Sequence, residues 1–202
     1  MTSSGRSGPR SSWSDFELIQ EIKKGDLGAF TALVERHQRS LLNFFFHNAW
    51  DRQTAEDCTQ EVFLRLYSHL GSYEPQAKFT TFLYRVARNL WIDRMRAAAS
   101  HPGPVSLETP AANGDEGVLR DRIRSREESP VEILEKRETH AALRTAIERL
   151  PEDQRMVLIL SEMQGLKYKE IGEIMDVPVG TVKSRMHTAV ERLKELMGDH
   201  EV

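Results

Sequence analysis

The segment that is most informative about the fold lies near the C-terminus, at residues 167–197. It reads KYKEIGEIMDVPVGTVKSRMHTAVERLKELM. Apolar spacing predicts a short helix at 167–175, a turn at 176–178 and a longer helix at 179–197. The buried face of the longer helix is marked by Val182, Met186, Ala189, Leu193 and Leu196. Two helices joined in this way form a helix-turn-helix, whose second helix enters the major groove of DNA.

Polar side chains near the start of the second helix are candidates for DNA contact. Lysine and arginine hold phosphates or read guanine, and hydroxyl and imidazole groups make shorter polar contacts. The candidates are Thr181, Lys183, Ser184, Arg185, His187 and Thr188. The alternative interpretation is a solvated face of an ordinary helical bundle, since short helix pairs with a turn are common. The near balance of basic and acidic residues in this segment predicts weak unaided binding to DNA.

The composition indicates a soluble protein of a reducing compartment. No stretch of the 202 residues approaches the ~18 apolar residues of a membrane span, and the N-terminus, MTSSGRSGPRSS, lacks the apolar core of a secretory signal. Cys58 is the single cysteine, which excludes an intrachain disulfide. The net charge of -3 is low for a protein that binds DNA unaided, so we expect a partner to supply part of the affinity.

The remaining periodic segments are helical, which predicts an all-α fold of two small helical domains joined by a flexible linker. Ser14 with Glu17 and then Asp26 are helix-capping signals, and Pro130 opens a later helix. Prolines and glycines without periodicity precede Pro130. The predicted organisation is a disordered tail at 1–12, a domain at 13–99, a linker at 100–129 and the domain with the helix-turn-helix at 130–202.

Core positions are predicted along the first three helices from their apolar spacing. They are Phe16, Ile19 and Ile22, then Leu27, Phe30, Val34, Leu41 and Phe45, then Ala55, Cys58, Val62, Leu66 and Leu70. The third helix also carries a polar stripe with Asp57 and Glu61 one turn apart. From this helix alone, a solvated face is the simplest interpretation, and a docking face for a basic partner or a metal pair are the alternatives.

The fourth helix, KFTTFLYRVARNLWIDRMR at 78–96, combines cations with aromatic rings. Cations that follow a backbone, beside rings on which bases stack, are typical of single-stranded nucleic-acid binding. Arg85, Arg88, Asn89 and Arg96 are the candidates for contact with DNA. Core packing is the preferred interpretation for Phe82, Leu83, Val86 and Leu90.

Together these segments resemble a bacterial RNA polymerase sigma factor of the extracytoplasmic-function subfamily. The resemblance lies in four stretches: GDLGAFTALVERHQRSLLNF (25–44), AEDCTQEVFLRLY (55–67), FTTFLYRVARNLWIDRMR (79–96) and LPEDQRMVLILSEMQGLKYKEIGEIMDVPVGTVKSRMHTAVERL (150–193). It implies that the domain at 13–99 is sigma region 2 and that the domain at 130–202 is sigma region 4.

The resemblance implies three sets of site residues. The polymerase-binding set is Asp57, Gln60, Glu61 and Phe63. The set that recognises and opens the −10 promoter element is Phe79, Tyr84, Arg85, Arg88, Asn89 and Arg96. The set that reads the −35 element is the group of six named above on the helix-turn-helix.

The implied partners are core RNA polymerase through its clamp and flap regions, promoter DNA that is duplex at −35 and melted at −10, and an anti-sigma factor. A cytoplasmic protein without membrane insertion, cofactor or metal is expected. No nucleophile–base pair or phosphate loop is visible in the sequence, so no enzymatic activity is expected. The alternatives are a stand-alone helix-turn-helix regulator and a helical adaptor that does not bind nucleic acid.

Overall fold

The structure, a computed structural model, describes residues 9–70, 73, 78–100 and 130–198, with side chains from 139 onward in the last range. The described residues form helices and no strand, which confirms the all-α prediction. The chain divides into two compact units, Met1–His101 and Pro102–Val202. The predicted linker lies outside the described residues except for Ser100, which is the last residue of a helix.

The described residues of unit 1 form four α-helices: α1 (Asp15–Lys23), α2 (Leu27–Ala49), α3 (Arg52–His69) and α4 (Phe79–Ser100). The predicted caps are present. Ser14 and Glu17 form a capping box, and the carboxylate of Asp26 accepts hydrogen bonds from the first amides of α2. Asp51 caps α3 by accepting from the amide of Thr54 at 2.7 Å. These contacts satisfy amides that no helical carbonyl can reach.

The core of unit 1 lies where α2 packs against α1 and α3, and where α3 packs against α4. The prediction for α3 is confirmed, because its whole apolar stripe from Ala55 to Leu70 is buried. On α1 and α2 the prediction is wrong for Phe16 and Leu27, which are 56% and 64% exposed.

The buried face of α2 instead follows Ala29, Leu33, His37, Leu41 and Phe44. Apolar spacing predicted Leu41 and Phe45, which are buried, but it missed Ala29 and Leu33 because a histidine interrupts the face. His37 is buried with its Nε2 3.1 Å from the Asp15 carboxylate.

The predicted disordered tail is wrong for its last residues. Arg10–Ser12 form a 3₁₀ turn before α1. Arg10 is paired with the Asp26 carboxylate at 2.8 Å. Arg36 of α2 donates to the backbone carbonyls of Ser11 and Trp13. Two arginines therefore anchor this segment, although its composition is that of a tail. The rest of the predicted tail, 1–8, lies outside the described residues.

Unit 2 contains α5 (Pro130–Glu148), α6 (Glu152–Leu158), α7 (Tyr168–Met175) and α8 (Val179–Gly198). A short π-helix, Ile159–Met163, continues α6. Pro130 is the first residue of α5, as predicted. α8 packs against α5, α6 and α7, so it is the central helix of the unit. Its buried residues Val182, Met186 and Ala189 belong to the predicted apolar face.

Candidate functional site

The N-terminal half of α8 is polar on the side that faces away from the core. Lys183, Ser184, His187 and Thr188 are exposed, and Thr181 is half-buried. No acidic residue occurs between Val179 and Val190. Together with the positive end of the helix dipole, this composition gives the exposed surface a positive potential suited to phosphate.

Two hydroxyl groups of this surface donate to the helix itself. Ser184 Oγ donates to the carbonyl of Thr181 at 3.0 Å, and Thr188 Oγ1 donates to the carbonyl of Ser184 at 3.0 Å. Each hydroxyl proton is therefore used within α8, and each oxygen keeps its capacity to accept. In a major groove these oxygens suit the amino groups of adenine or cytosine.

Arg185 differs from the other candidates on α8. Its guanidinium Nη2 lies 2.5 Å from Oδ2 of Asp153 at the start of α6. The side chain of Arg185 is 25% exposed, and that of Asp153 is 56% exposed. Sequence reasoning missed Asp153, because nothing local in the sequence connects it to the helix-turn-helix.

α4 carries the second group of candidates in unit 1. The helix contains four arginines and one aspartate. Arg85, Asn89 and Arg96 are exposed, and Arg88 is half-buried. Arg88 Nη1 donates to the side-chain carbonyl of Asn89 at 3.4 Å, which links the two groups. The arrangement provides a cationic face with one amide, as a nucleic-acid backbone and an unpaired base would require.

The two aromatic residues predicted for the −10 set lie in the core instead. Phe79 is buried, with its ring centroid 5.3 Å from that of His37. Tyr84 is buried 5.5 Å from Phe44, and burial raises its pKa to about 12 against a smaller lowering by a hydrogen bond with Ser40. Neither ring is accessible to a base, because Phe79 is only 6% exposed and Tyr84 only 4%.

Another pair of rings is placed beside the cationic face of α4. Tyr73 and Phe82 have ring centroids 4.5 Å apart at an interplanar angle of 36°. They line an open cleft of about 400 Å³ together with Arg65, Leu66, His69 and Val86. Phe82 and Val86 lie one turn from Arg85 and Asn89 on α4, so the cleft adjoins the cationic face. Phe82 was predicted as core, and the structure leaves it half-buried.

The polar stripe of α3 is available at the surface. Asp57 and Gln60 are exposed, and Glu61 is half-buried. The expected repulsion between the carboxylates is relieved along the helix. Gln53 donates to Asp57 at 2.9 Å, and Arg65 donates to Glu61 at 2.8 Å. Phe63, the fourth residue of the predicted polymerase-binding set, is only 8% exposed, so its ring belongs to the core.

The described residues contain neither a metal site nor a membrane span. Within them, no three His, Cys, Asp or Glu residues are gathered closely enough to hold a metal ion. None of the described helices combines the length and the apolar character needed to cross a bilayer. Cys58 is buried, and burial raises the pKa of its thiol.

Comparison with known proteins connects both surfaces to one family. Residues 33–101 match the family described as Sigma-70 region 2, and residues 140–193 match Sigma-70, region 4. The RNA polymerase sigma-H factor of Pseudomonas aeruginosa is 34% identical over 185 residues, covering 91% of this chain and 93% of the relative. The ECF RNA polymerase sigma factor SigW of Bacillus subtilis is 32% identical over 181 residues, covering 90% and 95%. The chain belongs to the ECF sigma factors.

Solved structures share the fold of this ECF sigma factor. CnrH, solved in complex with the cytosolic domain of CnrY, has a TM-score of 0.66 at 20% identity, covering 93% of this chain and 99% of that chain. The sigma factor RpoE of Bartonella quintana, solved with the anti-sigma factor NepR, has a TM-score of 0.61 at 22% identity, covering 84% and 96%.

The two family matches contain the surfaces described above. The region 2 match of this ECF sigma factor includes α3 and α4 with the cleft between them. The region 4 match includes α6, α7 and the N-terminal half of α8. The predicted resemblance to the family is therefore confirmed, whereas the roles of individual residues remain predictions.

Proposed function

We propose that this chain is the promoter-specificity subunit of RNA polymerase, which binds the core enzyme and directs it to one class of promoters. The observation that carries the proposal is the division of α8 into a buried apolar face and an exposed N-terminal half without acids. Lys183 and His187 are exposed, while Val182 and Met186, each one residue before them, are buried. This division supports insertion of α8 into the major groove of the −35 element.

Unit 1 is proposed to bind the clamp of the polymerase through α3. Asp57, Gln60 and Glu61 offer carboxylate and amide groups on one stripe, which suits a basic partner surface. Phe63 is better explained as a packing residue, because its ring is buried. The flap region of the polymerase is proposed to hold unit 2. Tethering to the enzyme makes the DNA contacts effectively intramolecular, which explains why a chain with a net charge of -3 needs no high affinity for DNA.

Recognition and opening of the −10 element is proposed for α4 and its cleft. Arg85, Arg88 and Arg96 suit the backbone of a separated strand, and Asn89 suits the edge of an unpaired base. Stacking is proposed for Tyr73 and Phe82, because their rings line an open cleft whereas Phe79 and Tyr84 are buried. Each stacked base contributes about 1–3 kcal/mol, enough to favour the melted strand when several contacts act together.

No bond-forming step is required of this chain in the proposed function, and its place of action is the cytoplasm, where the polymerase and the chromosome meet. Control by an anti-sigma factor is also proposed. Bartonella RpoE, which shares this fold, was solved with the anti-sigma factor NepR, and CnrH was solved with the cytosolic domain of CnrY. A partner that covered α4 and α8 would block both DNA-facing surfaces at once.

Run-off transcription with purified core polymerase tests the proposal. The full chain should stimulate specific transcripts from some templates of a promoter library, and stimulation of none would contradict it. Strong specific binding of the chain alone to duplex DNA, seen in a gel shift, would instead favour the stand-alone regulator. A direct binding assay on core polymerase tests the role of α3.

In that binding assay we expect Asp57→Arg to weaken association by roughly tenfold, because it reverses a charge on the docking stripe. Glu35→Arg makes the same charge change on an exposed site of α2 and should have little effect. Phe63→Ala should lower the stability of unit 1 by about 3–5 kcal/mol, as expected for a core ring. Equal losses of binding in both charge variants would contradict docking through α3.

A further inference from the structure

The ion pair between Arg185 and Asp153 joins the DNA-facing helix to a helix outside the helix-turn-helix. Asp153 lies in the first turn of α6, and Arg185 lies in the second turn of α8. Oδ2 of Asp153 and Nη2 of Arg185 are 2.5 Å apart. Lys183 and His187, the nearest candidates on α8, have no such carboxylate partner among the ion pairs of the described residues.

The ion pair between Asp153 and Arg185 contributes little to the stability of unit 2. More than half of the Asp153 side chain is exposed, and solvent-exposed ion pairs contribute little because water and salt screen them. Even a weak pair biases the orientation of the guanidinium toward one arrangement by up to several-fold. An arginine has five N–H donors in a rigid planar fork, and a carboxylate that holds one edge determines where the others point.

The partial burial of the Arg185 side chain supports this interpretation. A long cationic side chain on an exposed helix face would ordinarily extend into solvent, as Lys183 does. Arg185 is instead 25% exposed and directed toward α6. Before any DNA is bound, its guanidinium has lost much of the rotational freedom that an unpaired arginine would have to lose on binding.

We propose that Asp153 is a positioning residue for promoter recognition: it holds the Arg185 guanidinium in one orientation, so that Arg185 discriminates between −35 sequences instead of acting as a mobile cation. The inference rests on the proposed function of α8. Asp153 itself need not touch DNA. Its carboxylate also offsets one positive charge, which limits attraction of α8 to arbitrary phosphates.

Removal of the carboxylate should therefore have two linked effects. In Asp153→Asn, Arg185 becomes mobile and neutralises whichever phosphate is near, so the salt dependence of DNA binding should steepen by roughly one unit of slope. Discrimination between preferred and non-preferred −35 sequences should fall by about two- to fivefold, which is the bias that an exposed ion pair supplies.

The experiment uses the full chain with core polymerase and a duplex template library randomised over the −35 region. Each template carries a transcribed barcode that identifies its −35 sequence, so sequencing of the barcodes in the run-off transcripts gives the −35 preference. A salt titration of holoenzyme binding to the duplex template gives the slope. Glu152→Gln is the matched control, because it removes the same charge from the neighbouring exposed position. It should retain the wild-type preference. Asp153→Glu keeps a carboxylate and should restore part of the preference.

The outcomes separate the inference from the proposed function. If the wild-type chain stimulates no template, the proposed function fails. If the wild type is active and Asp153→Asn has the same preference and salt slope as Glu152→Gln, the positioning role is wrong. In an Arg185→Gln background the Asp153→Asn change should have no further effect on preference, and an undiminished effect there would also overturn the inference. Circular dichroism establishes that each variant is folded.

Discussion

Gly172 and Val177 approach each other closely at the turn of the helix-turn-helix. A β-carbon on Gly172 would lie 2.9 Å from the carbonyl oxygen of Val177. The Val177 amide donates to the Gly172 carbonyl at 3.0 Å. Asp176, between them, adopts a left-handed conformation with φ +56°. The chain thus folds back onto the C-terminal end of α7, and this close approach sets the position from which α8 begins.

Gly172→Ala should destabilise unit 2. The added methyl group meets a backbone oxygen that cannot move without disturbing the turn, which costs about 1–3 kcal/mol. Thermal unfolding of the full chain, followed by circular dichroism, should show a midpoint lower by about 4–8 °C for each kcal/mol. Gly180→Ala is the control, since a β-carbon there has nothing within 4 Å. A Gly172→Ala variant as stable as the wild type would contradict the close approach.

Asp15 should make the stability of unit 1 sensitive to acid. Burial raises the pKa of this carboxyl, but hydrogen bonds and charges from His37 and Arg36 outweigh burial and leave the pKa below its usual value of about 3.9. Because the folded pKa is lowered, the stabilisation is complete above the usual pKa and is lost as the pH falls below it.

Asp15→Asn should therefore cost about 1–2 kcal/mol at neutral pH, and its difference from the wild type should shrink below pH 4. Denaturant unfolding at a series of pH values measures this. Glu35→Gln, on an exposed site of α2, should leave the pH profile unchanged. Acid sensitivity that remains is expected from Asp26 and Asp51, whose pKa values are lowered by hydrogen bonds from Arg10 and Thr54 respectively. A constant difference between Asp15→Asn and wild type at all pH values would argue against this role.

Lys183 and Lys194 allow a matched test of the DNA-facing end of α8. Both are exposed lysines of the same helix, and Lys194 is paired with Glu191 at 3.1 Å. Lys183→Ala should reduce promoter-specific transcription about 5- to 100-fold and lower the salt slope by roughly one. Lys194→Ala makes the same charge change and should have less than about a twofold effect. Equal losses of promoter-specific transcription in the two variants would mean that only the net charge of α8 affects recognition.

Variants of Tyr73, which lines the cleft, and of Tyr84, which lies in the core, test which of the two takes part in strand opening. If Tyr73 stacks on an unpaired base, Tyr73→Ala should reduce open-complex formation about 5- to 100-fold, whereas Tyr73→Phe should retain it. Tyr84→Phe removes a hydroxyl from a buried ring and should leave strand opening unchanged. Permanganate reactivity of thymines in the promoter measures the melted strand. Open complexes at wild-type level in Tyr73→Ala would remove the cleft from the proposed mechanism.

Helix boundaries could be predicted from the sequence because capping is local. Ser14 bonds to Glu17 three residues away, and Asp26 and Asp51 accept from amides of the turn that follows them. The helix-turn-helix is equally local, since its two helices and turn lie within 167–197. Val182, Met186 and Ala189 are buried as the spacing predicts, whereas Leu193 and Leu196 are half-buried. For these features the sequence alone was sufficient, because each interaction joins residues within about one turn of a helix.

Which side chains of these helices are accessible to DNA or a partner depends on tertiary packing. Phe79 and Tyr84 are as aromatic as Tyr73 and Phe82, but the rotation of α4 against α2 and α3 buries one pair and opens a cleft at the other. The partnership of Arg185 with Asp153 also depends on how α6 packs against α8. Such contacts join residues distant in the chain, and local patterns of charge and hydrophobicity carry no information about the angle at which two helices pack.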